Sequence, residues 1–210
     1  IVYCPPYTLL KAFVKKTKKS KISVGAQNCH YESNYGPNTG FVNSKMIKDT
    51  GSKFVIIGHS EMRNEGDTDK KINKKIKSAI NSSLNIVFCI GETLKDKKSK
   101  KTNIVLKSQI KNGLKKIKKY ENIIVAYEPV WSIGTGIVPK KFELTKNINF
   151  IKKVLKSLKI IKNIKILYGG SVNSSNVKNL TRLSGINGFI VGGSSLNAKN
   201  FIDIIKKSIN

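Results

Sequence analysis

The sequence predicts an α/β protein, a (β/α)8 barrel that, as given, lacks its first βα unit. Short apolar, β-branched runs alternate with lysine-rich amphipathic stretches, as in consecutive βα units. The apolar runs are continuous, which is expected of parallel strands buried on both faces. Polar residues and glycines collect directly after these runs, at the rim where such barrels carry their chemistry. We therefore expect residues 1–210 to form a single barrel domain, with a doubly wound open sheet as the structural alternative.

Seven runs are predicted to form strands 2 to 8 of the barrel. They cover residues 1–4, 22–28, 54–58, 86–91, 123–128, 164–169 and 189–192. A closed barrel has eight strands and typically about 250 residues. Because the chain opens inside an apolar run and has no initiator Met, we expect the missing strand and helix to lie upstream of Ile1.

Four amphipathic stretches are predicted to form helices, over residues 69–83, 102–119, 143–158 and 197–209. In the first of them Ile72, Ile76 and Ile80 recur at i, i+4 and i+8, which places one apolar stripe on the helix. Asp69 and Asn197 are predicted N-caps, because their side-chain oxygens can accept from the unpaired amides of a first turn.

Lysine dominates the formal net charge of +28. Only Arg63 and Arg182 are arginines among the 40 basic residues, and the lysines are spread along whole segments. Arginine is the usual bidentate reader of phosphate and guanine, so we expect no nucleic-acid partner, although a basic nucleic-acid binder on a barrel scaffold stays as an alternative. The positive field would still attract a small anionic substrate.

The cysteines and the hydropathy indicate the cellular compartment in which the protein is expected. Cys4, Cys29 and Cys89 show no C-x-x-C spacing, which indicates a reducing, cytoplasmic location and predicts no metal site. No apolar run reaches about 18 residues, so we expect neither a membrane span nor a membrane partner.

Two Gly-Gly-Ser turns follow the last two predicted strands, at residues 169–171 and 192–194. Barrels of this class often bind phosphate there, through backbone N–H groups and a helix N-terminus. Glycine has no Cβ and lets the backbone approach an oxyanion closely. Either turn alone could serve only to close a tight loop, but their pairing after successive strands favours phosphate.

His59 and Glu128 are the acid–base candidates. Each stands at the end of an apolar run, where a polar or charged group needs a reason. A carboxylate among apolar neighbours is a stronger base than one in water, which suits the removal of a C–H proton. The alternative is a structural histidine and a salt-bridged glutamate on the rim.

The eleven residues that follow Glu128, 129–139, are predicted to form a lid. They carry glycines in the middle and a proline at each end, and they exceed the usual length of about two to six residues for a βα loop. The alternative is an ordinary loop with a buried Trp. The predicted lid residues are Pro129, Val130, Trp131, Ile133, Thr135 and Gly136.

Six motifs together resemble the triosephosphate isomerase family, in the family's order and over nearly the whole chain. They lie at residues 26–28, 58–61, 89–92, 126–136, 168–171 and 191–193. The stretch Tyr-Glu-Pro-Val-Trp-Ser-Ile-Gly-Thr-Gly at residues 127–136 is highly specific. The resemblance implies a TIM barrel that interconverts dihydroxyacetone phosphate and D-glyceraldehyde 3-phosphate in glycolysis and gluconeogenesis, with no cofactor.

The resemblance also implies roles for single residues. Glu128 would move the proton between the two carbons, and His59, as a neutral imidazole held by a helix N-terminus, would polarise the carbonyl. Glu61 would be a supporting carboxylate. Ile133 and Ile190 would close apolar surface over Glu128 and exclude water. The phosphate would be bound by Gly134, Ser171, Gly192 and Gly193.

Two further expectations come from the resemblance. The loop of residues 29–40, from Cys29 to Gly40, would enter a partner subunit and form a homodimer. The family's opening strand carries an Asn-x-Lys motif whose lysine contacts substrate, and the sequence given does not contain it. The alternative function is therefore a non-catalytic or decayed barrel that retains only phosphate binding.

Overall fold

The computed structural model describes residues 1–158 and 164–209. The chain divides into two compact units. The first comprises Ile1–Cys89 and Lys111–Ile124, and the second comprises Ile90–Ile110 and Val125–Asn210. Each unit is built from parallel strands and helices, so the predicted α/β class is confirmed within each of them.

The strands of the first unit pair in chain order and in parallel. They are β1 (Val2–Tyr3), β2 (Ser23–Ala26), β3 (Phe54–Ile57) and β4 (Asn85–Ile90), whose last residue belongs to the second unit. β1 pairs with β2, β2 with β3, and β3 with β4. Side chains on both faces of β4 are buried, as the continuous apolar run predicts.

Helices connect these strands. They are α1 (Leu10–Thr17), α2 (Ser44–Asp49), α3 (Ser60–Asn64) and α4 (Asp69–Asn81). The apolar stripe of α4 is confirmed, because Ile72 and Ile76 are fully buried. The predicted cap at Asp69 is wrong by one residue: Thr68 Oγ1 accepts from the amide of Lys71 at 3.3 Å, and Asp69 is the first helical residue.

The second unit holds the other strands, of which β5 begins in the first unit. They are β5 (Ile123–Tyr127), β6 (Ile166–Tyr168) and β7 (Gly188–Phe189), and they pair in parallel in that order. The helices are α5 (Leu94–Lys98), α6 (Thr102–Gly113), which continues into the first unit, α7 (Lys141–Ser157), α8 (Val177–Thr181) and α9 (Ala198–Ile209). The amide of Ile190 donates to Tyr168 O at 3.0 Å and extends the last pairing past β7.

The helix predicted over residues 102–119 ends six residues early, at Gly113. A Cβ at Gly113 would lie 2.5 Å from Phe88 Cζ, so the backbone passes directly over that ring. Asn73 Nδ2 donates to the carbonyls of Gly113 and Lys115, and these bonds satisfy groups that a longer helix would have paired internally. The predicted cap at Asn197 is confirmed, since its Oδ1 accepts from the amide of Asn200 at 3.0 Å.

Candidate active site

The carboxylate predicted as the base is buried. Glu128 directly follows β5, is 3% exposed, and its amide donates to Ile90 O at 2.8 Å. The strand end thus places a charged side chain inside the protein, where it needs compensating contacts.

Two glycines make room for this glutamate. A Cβ at Gly169 would lie 2.6 Å from Glu128 Cγ and 3.0 Å from its Oε1, and would also overlap Ile190 Cγ2. A Cβ at Gly91 would overlap the carbonyl oxygen of Glu128. Gly91 is itself fixed by Gln109, whose side chain accepts from its amide at 2.8 Å and donates to its carbonyl at 3.1 Å. Glu128 and Ile190 therefore lie against the same glycine, which supports the predicted apolar cover over the carboxylate.

A second carboxylate contacts the start of the predicted lid. Glu92 is fully buried and accepts from Tyr127 Oη at 3.2 Å and from Trp131 Nε1 at 2.9 Å. Asn147 Nδ2 donates to Tyr127 Oη at 2.7 Å and completes the chain of hydrogen bonds. Burial raises the pKa of Glu92, while its hydrogen bonds and the charge of Lys97 oppose that rise.

One hydroxyl contacts both ends of the predicted lid. Ser132, in a short 3-10 turn over Val130–Ser132, is fully buried, and its Oγ donates to Ile137 O. The same Oγ lies 3.2 Å from Tyr168 Oη and accepts from the amide of Ser171 at 3.3 Å. Ser132 thus links the two ends of the lid to the loop that follows β6.

The predicted phosphate residues follow neighbouring strands. Ser171 lies beyond β6, and Gly192 and Gly193 lie beyond β7, which pairs with β6. Gly192 and Gly193 are exposed, and no described atom lies within 4 Å of a Cβ built at either. Gly192 O accepts from the amide and from the hydroxyl of Ser195. Gly192 is the residue before the short 3-10 turn Gly193–Ser195, and Ser195 ends that turn. The backbone there is open to a small anion.

The candidate imidazole lies in the first unit. His59 follows β3 and is the N-cap of α3, where its Nδ1 accepts from the amide of Glu61 at 3.4 Å. Burial lowers the pKa of His59 and outweighs the opposing charge of Glu61. Nδ1 also lies 3.8 Å from Glu61 Oε2, which would be an ion pair only for a protonated ring. The amide contact and the burial both favour the neutral ring, whose proton is then on Nε2.

One arginine fixes the turn that carries His59. Arg63 donates from Nε to Gly58 O at 2.8 Å and from Nη2 to Cys89 O at 3.2 Å. Its Nη1 pairs with Asp69 at 2.8 Å. The guanidinium therefore joins the end of β3, the end of β4 and the start of α4. The side chain of Glu61, by contrast, is 79% exposed.

Some residues around the site were not among the sequence predictions. Glu92 and Ser132 are buried polar groups that organise the lid, and Lys97 lies over the ring of Trp131. The sequence carries a signal for Glu92, because this glutamate follows β4 with only Gly91 between them. Lys97 had no comparable signal, since it is one lysine in a lysine-rich helix.

Two features of the described residues bear on other classes of function. None of the described helices has the length and apolar character needed to cross a membrane. Residues 1–158 and 164–209 contain no cluster of three or more His, Cys, Asp or Glu side chains that could hold a metal ion.

The contacts define a class: a βα protein with a buried carboxylate, Glu128, directly before the predicted lid and a glycine-rich turn, which contains Gly169, beside that carboxylate. The family described as triosephosphate isomerase matches residues 1–208. The triosephosphate isomerase of Syntrophotalea carbinolica is 42% identical over 98% of this chain and 84% of its own length. That of Thermodesulfovibrio yellowstonii is 41% identical over 96% of this chain and 83% of its own length.

A solved structure agrees. The crystal structure of triosephosphate isomerase from Bartonella henselae matches with a TM-score of 0.91 and 35% identity, over 100% of this chain and 86% of that chain. The chain belongs to the triosephosphate isomerase family. The predicted (β/α)8 fold class is confirmed by the same comparisons.

Proposed function

We propose that the protein is an aldose–ketose isomerase that interconverts dihydroxyacetone phosphate and D-glyceraldehyde 3-phosphate, a step of glycolysis and gluconeogenesis. The observation that carries the proposal is the carboxylate of Glu128, which is buried against Gly169 directly before the predicted lid, with Ile190 against the same glycine. Family membership supports the reaction, and this local geometry supports the choice of base.

The proton transfer follows from the chemistry of a buried carboxylate. Glu128 takes a proton from C1 of dihydroxyacetone phosphate, and the electrons of that C–H bond form the C1–C2 double bond of an enediolate. As that double bond forms, the electrons of the C2=O bond move to O2, which gains a proton. The protonated Glu128 then returns its proton to C2 while the O1 hydroxyl loses its proton, so that C1 becomes the aldehyde carbonyl. Exclusion of water by the apolar side chain of Ile190 protects the enediolate.

His59 is proposed as the group that stabilises the charge on the substrate oxygens. Its Nδ1 accepts from the amide of Glu61, so Nε2 carries the proton that can be donated to a carbonyl oxygen. The acidity of a neutral imidazole is closer to the acidity of an enediol than the acidity of an imidazolium is. The ring can therefore give a proton to a substrate oxygen and take one back. Glu61 is proposed as a supporting carboxylate beside it.

The phosphate is proposed to bind to backbone amides. The turns at Ser171 and at Gly192 and Gly193 follow paired strands, and Ser132 ties the first of them to the lid. Closing the lid would bring Gly134 to the same anion. Several amides directed at one phosphate stabilise it without a side-chain charge.

Substitution of Glu128 tests the proposal. We expect Glu128→Gln to lower kcat by about 10² to 10⁴, because the amide cannot accept the proton. Glu128→Asp shortens the reach of the carboxylate and should lower kcat with little change in KM. Glu121→Gln, the same substitution at an exposed glutamate, is the control and should leave both constants unchanged. A Glu128→Gln protein with the rate of the control would show that the base lies elsewhere.

The oligomeric state is a separate part of the proposal. In the loop of residues 29–40 the ring of His30 stacks on Phe41, just beyond the loop, with centroids 4.4 Å apart. Tyr35 and Phe41 are 64% and 60% exposed, so the loop presents aromatic surface that a second copy of the chain could bury. We expect a homodimer by sedimentation equilibrium, and we expect Tyr35→Ser to weaken it. A monomer at micromolar concentration would contradict this assignment.

The location is proposed from the thiols. Cys4, Cys29 and Cys89 are thiols that form no disulfide with one another in the described part of the chain. Burial raises the pKa of Cys4 and of Cys29 to about 12, so both stay protonated and unreactive. Free thiols of this kind suit the reducing cytoplasm.

A further inference from the structure

A cation lies against Trp131, near the start of the lid. Lys97 Nζ, on α5, is 3.4 Å from the centroid of the Trp131 ring. The same ammonium is 2.8 Å from Oε1 of Glu143, on α7. At its edge the indole donates from Nε1 to Glu92 at 2.9 Å. The indole is therefore held by a cation on its face and a carboxylate at its edge.

The tip of the lid stands open. Gly134 and Gly136 have φ of 69° and 77°, and no described atom lies within 4 Å of a Cβ built at either. Thr135 and Ile137 are exposed. The tip thus extends into solvent, while Trp131, at the base of the lid, contacts Glu92 and Lys97 in this structure.

Closing the lid would break the contacts of the indole. Trp131 lies in the 3-10 turn that follows Pro129, so a swing of the lid about Pro129 carries the ring away from Lys97 and Glu92. Contacts that exist only in the open lid stabilise the open lid. A ligand on which the lid closes must overcome these contacts. They therefore weaken its binding by the same factor by which they shift the equilibrium between open and closed lid toward the open state.

We propose that Lys97 is a positioning residue that holds the lid open through the ring of Trp131, with Glu143 fixing the ammonium in place. The inference rests on the proposed function, because it takes the lid to close on a triose phosphate. Lys97 contacts no reacting atom. A cation over a partly exposed indole can change the balance of open and closed lids about three- to tenfold.

The chain supplies its own probe, since Trp131 is its single tryptophan. Binding of glycerol 3-phosphate, a three-carbon phosphate without a carbonyl to isomerise, can be followed by the emission of Trp131. We expect Lys97→Ala and Lys97→Gln to bind this ligand about three- to tenfold more tightly than the wild type. Lys97→Arg keeps the cation and should bind as the wild type does.

Lys98→Ala is the matched control, because it removes the same charge from the same helix at an exposed position. Loss of a positive charge alone weakens the binding of an anion, so tighter binding by Lys97→Ala has the opposite sign to a general charge effect. Quenching of Trp131 by acrylamide, without ligand, should increase in Lys97→Ala and stay unchanged in Lys98→Ala.

Glu143 supplies a second test. Glu143→Gln frees the ammonium and should reproduce part of the tighter binding, and it should add nothing in a protein that already carries Lys97→Ala. Additive effects of the two substitutions, or Lys97→Ala binding as weakly as Lys98→Ala, would overturn the role of Lys97. A wild type that binds glycerol 3-phosphate with the expected change in emission but does not isomerise triose phosphate would overturn the proposed function alone.

Discussion

Gly169 offers a test of how closely the position of Glu128 is controlled. In Gly169→Ala the new Cβ would lie 2.6 Å from Glu128 Cγ, whereas ordinary contact begins at 3.4 Å. The glutamate side chain must therefore move by about 0.8 Å or the backbone must shift. Ile190 Cγ2, on the same side, leaves less room for that movement.

The expected effect is larger on the rate than on the fold. A misplacement of about 1 Å can cost about 100-fold in rate, so we expect kcat of Gly169→Ala to fall by about that factor. Overpacking one methyl costs about 1–3 kcal/mol of unfolding free energy.

Gly113→Ala separates these two effects. Its Cβ would lie 2.5 Å from Phe88 Cζ, a comparable overlap among residues that form no part of the proposed chemistry. We expect it to lose stability in urea unfolding and to keep kcat in a coupled isomerase assay. If Gly169→Ala were folded and its kcat lay within threefold of the wild type, the argument that Gly169 positions the base would be refuted.

Two other predictions concern pH and stability. Burial lowers the pKa of His59 below its ordinary value of 6.5. As pH falls, the imidazole therefore takes up a proton in the unfolded chain before it does so in the folded protein. The stability that His59 contributes is present above pH 6.5 and is lost as pH falls from 6.5 through the pKa of the folded protein. Urea unfolding at pH 7.5 and 5.5 should show a smaller loss for His59→Asn than for the wild type, and equal losses would contradict the assignment of a neutral ring. Asp67 pairs with Lys75 where both side chains are nearly buried, so Asp67→Asn leaves an uncompensated ammonium and should cost about 3–5 kcal/mol. Asp203→Asn, which breaks an exposed pair with Lys207, should cost less than about 1 kcal/mol in the same urea titration, and a similar cost for both pairs would refute the reasoning from burial.

Much of the fold was accessible from the sequence because it depends on local pattern. Continuous β-branched runs are typical of parallel strands buried on both faces. An isoleucine at every fourth position is typical of a helix that packs one apolar stripe against the sheet. The ends of helices and strands were harder to predict from the sequence where a tertiary contact sets them. The helix that ends at Gly113 stops where its backbone meets the ring of Phe88, and no local signal carries that contact.

For the candidate site, the sequence by itself determined which groups stand at the ends of strands, and it thereby pointed to Glu128, His59 and the glycine turns. Each follows an apolar run directly, and a run of parallel strand fixes where its next residue emerges. Only the tertiary structure decided what surrounds them. Glu128 and Ile190 lie against Gly169, and Lys97 lies over Trp131, because segments far apart in the chain pack together. Contacts of that kind depend on distances that no pattern of neighbouring residues encodes.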